Sequence, residues 1–135
     1  MARTTKLVLL SAAAMIALGG CGGAAGDLIA IEVSGGFEPR AVEVTVTGDG
    51  RARCARGPLE SLSGELLLDA RELERALSPL AAAARSFGSA GGDRRVYSAR
   101  MVAGAVRWVE GAPDLPPVLG NAVILQRALE REICG

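Results

Sequence analysis

A chain of 135 residues with 15 Lys and Arg, 15 Asp and Glu and no histidine cannot build a Ser-His-Asp or Cys-His nucleophile system, a His-Glu-x-x-His zinc helix or any His-containing metal site. Two Phe, one Tyr and one Trp are too few for a base-stacking platform or an aromatic sugar cleft, so nucleic acid is not expected as a partner.

The first segment is a targeting sequence. Arg3 and Lys6 precede an apolar run over 7–18 that only Ser11 interrupts, too short to span a bilayer as a mature helix. Leu18, Gly19, Gly20 and Cys21 close it in the pattern of a lipobox. An ordinary secretory signal or an uncleaved anchor would also fit the first 20 residues; Leu at minus three and Gly at minus one, directly before a Cys, favour lipidation. The expectation is a lipoprotein signal peptide over 1–20, cleavage between Gly20 and Cys21, and two acyl chains on Cys21, enough for stable anchoring. Membrane lipid is then the partner of Cys21, and the mature protein is extracytoplasmic, held on the bacterial cell envelope. Residues 21–26, rich in Gly and Ala, form a tether that reaches about 20 Å when extended. The chain beyond Cys21 carries 13 Arg, no Lys and 15 acidic residues, a net charge of −2, with no surplus of base to attract nucleic acid or anionic lipid.

Residues 27–135 are the right size for one compact domain. Residues 27–33 alternate as a strand with Ile29, Ile31 and Val33 on one side, and Ser34, Gly35 and Gly36 break it. Over 41–47, Val42, Val44 and Val46 alternate with Glu43, Thr45 and Thr47, the pattern of a half-buried antiparallel strand. Gly48, Asp49 and Gly50 supply a turn, and 51–56 return as a short strand carrying Cys54. From Ser63 the period becomes helical, with Leu66, Ala70, Leu73, Leu77 and Leu80 as the apolar stripe and Ser61 or Ser63 as its cap. Pro79 is expected to end or kink that helix near Leu77, with a weak resumption from Ala81 to Ala84.

A glycine-rich connection over 86–92 leads to a hairpin of 95–102 and 105–110, joined at Ala103 and Gly104. Asp114, or the run Leu115, Pro116, Pro117, opens a last helix whose stripe is Val118, Ala122, Leu125, Leu129 and Ile133. The expected fold is α+β: an antiparallel sheet of four or five strands with two amphipathic helices on one face, in the order β-β-(β)-α-β-β-α. Cys54 and Cys134 are the thiols left once Cys21 is lipidated, and in an oxidising compartment they are expected to form a disulfide rather than a two-ligand metal site.

Few side chains invite a chemical reading. Ser34, Gly35, Gly36 and Phe37 resemble an anion loop, yet no helix follows to hold a phosphate, so a turn is the reading. Glu65, Asp69, Glu72 and Glu74 alternate with Arg on a helix exterior, a solvated face; Tyr97 and Trp108 on strands are core. No nucleophile, base and oxyanion donor come together, and a catalyst is not expected.

The segment Ile31, Glu32, Val33, Ser34, Gly35, Gly36, Phe37, the strand over 93–101 with Tyr97, the strand over 105–110, and Pro116, Pro117, Val118, Leu119 opening the last helix together resemble the emfourin family of bacterial inhibitors of thermolysin-like metalloproteases. The resemblance covers nearly all of 27–135 and implies an α+β fold without cofactor and inhibition of a secreted or surface metalloprotease. No contact residue of the family maps onto a position here; Ser34, Gly35, Gly36 and Phe37 carry over as a structural motif only. The tether and the two cysteines depart from the family's pattern, and fold transfers more safely than function. The alternative expectation is a structural or envelope-interaction lipoprotein with no protease partner.

Overall fold

A computed structural model of the chain describes residues 26–37 and 40–135. The expected signal peptide over 1–20, the expected cleavage between Gly20 and Cys21, and the expected lipidation of Cys21 lie outside the described residues.

The alternating segments become strands as their patterns require. β1 (Asp27–Gly35), β2 (Val42–Thr47) and β3 (Arg51–Cys54) form an antiparallel meander, and β4 (Glu60–Ser61) adds two residues outside β3. Helix α1 (Gly64–Ala82) and the short strand β5 (Ser86–Phe87) follow, then the hairpin of β6 (Arg95–Met101) and β7 (Gly104–Val109), and last helix α2 (Pro117–Leu129). The strand order is β4-β3-β2-β1-β6-β7-β5, with β1 central. The α+β class with two helices therefore stands, but the described residues hold seven strands rather than four or five. The sheet is also mixed, because β5 runs parallel to β7. Both extra strands are two residues long, too short to show a period of two.

Register places one apolar face in the core. Ile31 sits opposite Val44 and Ala99, and Tyr97 opposite Val33 and Trp108. Tyr97 and Trp108 stack with ring centroids 5.3 Å apart and planes 10° from parallel, the cross-strand aromatic contact that fixes a sheet's pairing. Ile29, Ile31, Val44, Val46, Val106 and Trp108 are buried beneath the helices. The opposite face carries no helix; there Arg100 reaches across β1 to pair with Glu43 at 3.2 Å.

α1 is capped by Ser63, whose hydroxyl accepts the Leu66 N–H at 3.4 Å. It does not end near Leu77 but runs through Pro79 to Ala82. Proline removes one intrahelical donor, and the turn after it is held because Ala81 is buried in the core. Ala70, Leu73, Leu77 and Ala81 are the buried stripe, with Leu66 and Leu80 half-buried at its flanks. The helix closes in a left-handed cap at Ala84, φ 50°, where Arg85 N–H donates to Leu80 O (3.0 Å) and Ala84 N–H to Ala81 O (2.9 Å).

The hairpin turns at Val102 and Ala103, one residue earlier than expected, and Gly104 is the first residue of β7, paired with Met101. α2 has Pro117 in its first turn and no side-chain cap. Its buried residues are Leu119, Ala122, Leu125, Gln126 and Leu129; Val118 is only half-buried, so the stripe enters one residue later than expected. A π-helical turn, Glu130–Cys134, extends the helix onto β3. There Cys54 and Cys134 are joined by a disulfide, their Cα atoms 5.3 Å apart and 80 residues apart in sequence.

The two helices cross one face of the sheet in opposite directions. α1 begins beside the β2–β3 turn, where Arg71 donates to the Gly48 carbonyl at 3.1 Å, and ends over Gly104. α2 starts beyond β7 and returns toward β3, passing Val33 and Gly35 with Gln126 and Arg127. α1 thus covers the Asp27 end of β1, and α2 the Gly35 end. No helix among the described residues is long and apolar enough to cross a membrane.

Candidate functional site

Among the described residues no group of three His, Cys, Asp or Glu is placed to hold a metal ion. Glu65, Asp69 and Glu72 are exposed on α1, and Glu74 is half-buried beside Ser78. Tyr97 and Trp108 are 1% exposed and belong to the core. Cys54 and Cys134 are consumed in the disulfide. What remains of the expected site residues is the motif of Ser34, Gly35, Gly36 and Phe37.

The motif lies where β1 runs out. Gly35 and Gly36 both hold positive φ, 77° and 76°, which glycine adopts without the clash any other residue would meet. A β-carbon on Gly35 would also stand 3.0 Å from the Arg94 carbonyl oxygen. The paired left-handed residues swing the chain off the sheet, and Phe37 emerges 88% exposed. A phenyl ring in water forgoes about 2 kcal/mol of burial, so an aromatic residue held out at this turn is an unusual placement. The turn reading of this motif holds, and its geometry adds an exposed apolar tip.

β1 separates the two ends of the domain. Nine residues at the rise of a strand span about 27 Å, with Asp27 at one end and Gly35 at the other. Gly26 accepts from Gly48 N–H at 3.1 Å, which fixes the entry of the chain beside the β2–β3 turn. That turn is polar: Thr47 Oγ1 donates to Asp49 Oδ1, and Arg51 pairs with Asp49 Oδ2 at 2.8 Å. The Arg51 hydrogen bond first, then that of Thr47, holds the Asp49 carboxyl below its ordinary 3.8. Val102, 94% exposed, marks the tip of the β6–β7 hairpin at this same end.

Beside the motif lies a cleft between the Gly35 end of the sheet and the last turns of α2, about 100 Å³ in volume, whose lining includes Ser34, Arg40, Arg95, Tyr97, Gln126 and Arg127. A larger groove of about 390 Å³ runs between the helices, where Leu66, Leu73, Ile124 and Leu125 meet Asp69 and Glu72. Neither follows from a sequence motif. Arg40 precedes β2, Arg95 opens β6 and Arg127 lies near the end of α2, and only the packing of α2 across the strand ends brings them together.

Comparison of the chain with protein-family models, curated proteins and solved structures finds no match.

Proposed function

We propose that this protein is a membrane-anchored bacterial lipoprotein that acts as a non-catalytic binding protein, and that it restrains a thermolysin-like metalloprotease in the manner of the emfourin family. The observation that carries the reading is Phe37, 88% exposed on a turn where two glycines hold positive φ. An exposed aromatic side chain at the tip of a narrow turn has the chemistry and shape of an anchor for a protease cleft.

Anchorage at Cys21 suits that role. The tether would hold the domain by the Asp27 end of β1, and the motif stands about 27 Å away along the strand. Lipidation therefore leaves the Phe37 end turned outward, toward a secreted or surface enzyme. A chain without histidine lacks the Ser-His-Asp and Cys-His routes to peptide hydrolysis.

The test is a titration of the purified protein into thermolysin-like proteases of the same organism, followed by peptide hydrolysis. Saturable, stoichiometric loss of activity supports inhibition. Unchanged hydrolysis at large molar excess over every such protease removes the inhibitor reading and leaves an envelope lipoprotein of structural role.

A further inference from the structure

The cleft beside α2 brings together side chains that the inhibitor reading does not use. Tyr97 and Gln126, which help to line it, are 1% and 2% exposed, and polar groups taken that far out of water are ordinarily met by a polar partner. Gln126 directs its amide at Glu130 Oε2, 2.9 Å away, and Glu130 is the sole carboxylate among the described residues of the lining. Arg95 has a partner of its own. The side chains of Arg40 and Arg127 form no ion pair and no hydrogen bond with any described residue. Three arginines thus line a cleft of about 100 Å³ in which the carboxylate among the described lining residues is already engaged.

Charge placed this way favours an anion. Two guanidiniums with no counter-charge among the described residues repel each other beside a small cavity, and an oxyanion between them converts that repulsion into charge-assisted hydrogen bonds. The volume admits a single small group rather than a nucleic acid strand or a lipid surface. We propose that this cleft is an oxyanion-binding site, taking one carboxylate or phosphate group between Arg40 and Arg127. Arginine pairs bidentately with both groups, so the chemistry is shared and the source is decided by experiment. The site stands on the geometry of the cleft and does not require that a protease be the partner.

The experiment is an NMR titration of the isotope-labelled full chain in detergent micelles, with inorganic phosphate in one series and acetate in another. Chloride holds ionic strength constant in both, since screening alone shifts exposed arginines. The expected result is a saturable shift of the Ser34, Tyr97 and Gln126 amides and of the Arg127 side-chain N–H. Arg40→Gln and Arg127→Gln should each weaken binding about tenfold, the size of one lost charge-assisted hydrogen bond. Arg75→Gln, on the outer side of α1, should leave it unchanged. Saturation by phosphate alone assigns a phosphate ligand, and saturation by acetate alone a carboxylate such as an acidic side chain or a peptide C-terminus. Shifts that do not saturate, or that persist unaltered in a folded Arg40→Gln, Arg127→Gln double variant, overturn the proposal.

Discussion

Gly104 lies directly against the backbone of Ala81: a β-carbon at residue 104 would overlap the Ala81 carbonyl oxygen and stand 3.0 Å from its carbonyl carbon. The first residue of β7, at φ 138°, therefore lets the end of α1 settle closer to the sheet than any side chain would allow. Gly104→Ala should destabilise the protein by about 3 kcal/mol, through backbone strain and displacement of α1. Urea unfolding measures it. A midpoint equal to that of the parent would show that the helix end yields freely.

Ala84 presents the opposite case. It occupies the left-handed position that ends α1, at φ 50°, where glycine is the usual residue because its backbone is not strained there. Ala84→Gly relieves that strain while adding freedom to the unfolded chain, and the balance should stabilise by about 0.5–1 kcal/mol. For a domain of this size the melting temperature should rise by roughly 4 °C. A fall would mean that the alanine methyl makes a contact worth more than the strain.

The Cys54–Cys134 disulfide closes most of the domain into one loop. Chain entropy alone assigns it about 4.5 kcal/mol, an upper figure since native-state effects are left out. The Cys54→Ser, Cys134→Ser double variant should lose a large part of that and free the terminal turn, seen as faster amide exchange over 130–134. Two alkylatable thiols in the unreduced protein isolated from its own cells would contradict the bridge.

Much of this was legible in the chain. The alternation of Val42, Val44 and Val46 and the stripe of Ala70, Leu73 and Leu77 wrote their elements directly, because burial on one face demands those periods. Two features were not. Pro79 reads as a stop, and only the burial of Ala81 reveals why the helix continues. β4 and β5 are pairings made by tertiary contact, without a local signal in two residues. The candidate site divides the same way: Gly35 and Gly36 announce a turn, but the exposure of Phe37 and the gathering of Arg40, Arg95 and Arg127 depend on where β1 ends and where α2 crosses it.

Asp49 gives the account a dependence on pH. Its carboxyl is held below 3.8 chiefly by the Arg51 hydrogen bond, so its folded pKa is depressed. The stability it contributes is therefore complete above the unfolded pKa and is lost as pH falls through the folded value. Asp49→Asn should flatten the acid limb of a plot of urea midpoint against pH below about 4, and shift it little at neutral pH. An acid limb identical to the parent's would assign that loss of stability to other carboxylates. The effect should be small, since the pair is exposed and screened by solvent.

The proposed engagement of a protease by Phe37 and its turn is decided by comparing the protein with its Phe37→Ala variant as inhibitors of a thermolysin-like protease from the same organism. An 88% exposed side chain contributes little to the fold, so the variant should unfold within about 0.5 kcal/mol of the parent. Its inhibition constant should rise at least tenfold, as expected when an aromatic anchor of about 2 kcal/mol or more is truncated at the centre of an interface. Equal inhibition by both proteins would contradict the assignment of the contact to this turn, and no inhibition by either would contradict the account itself.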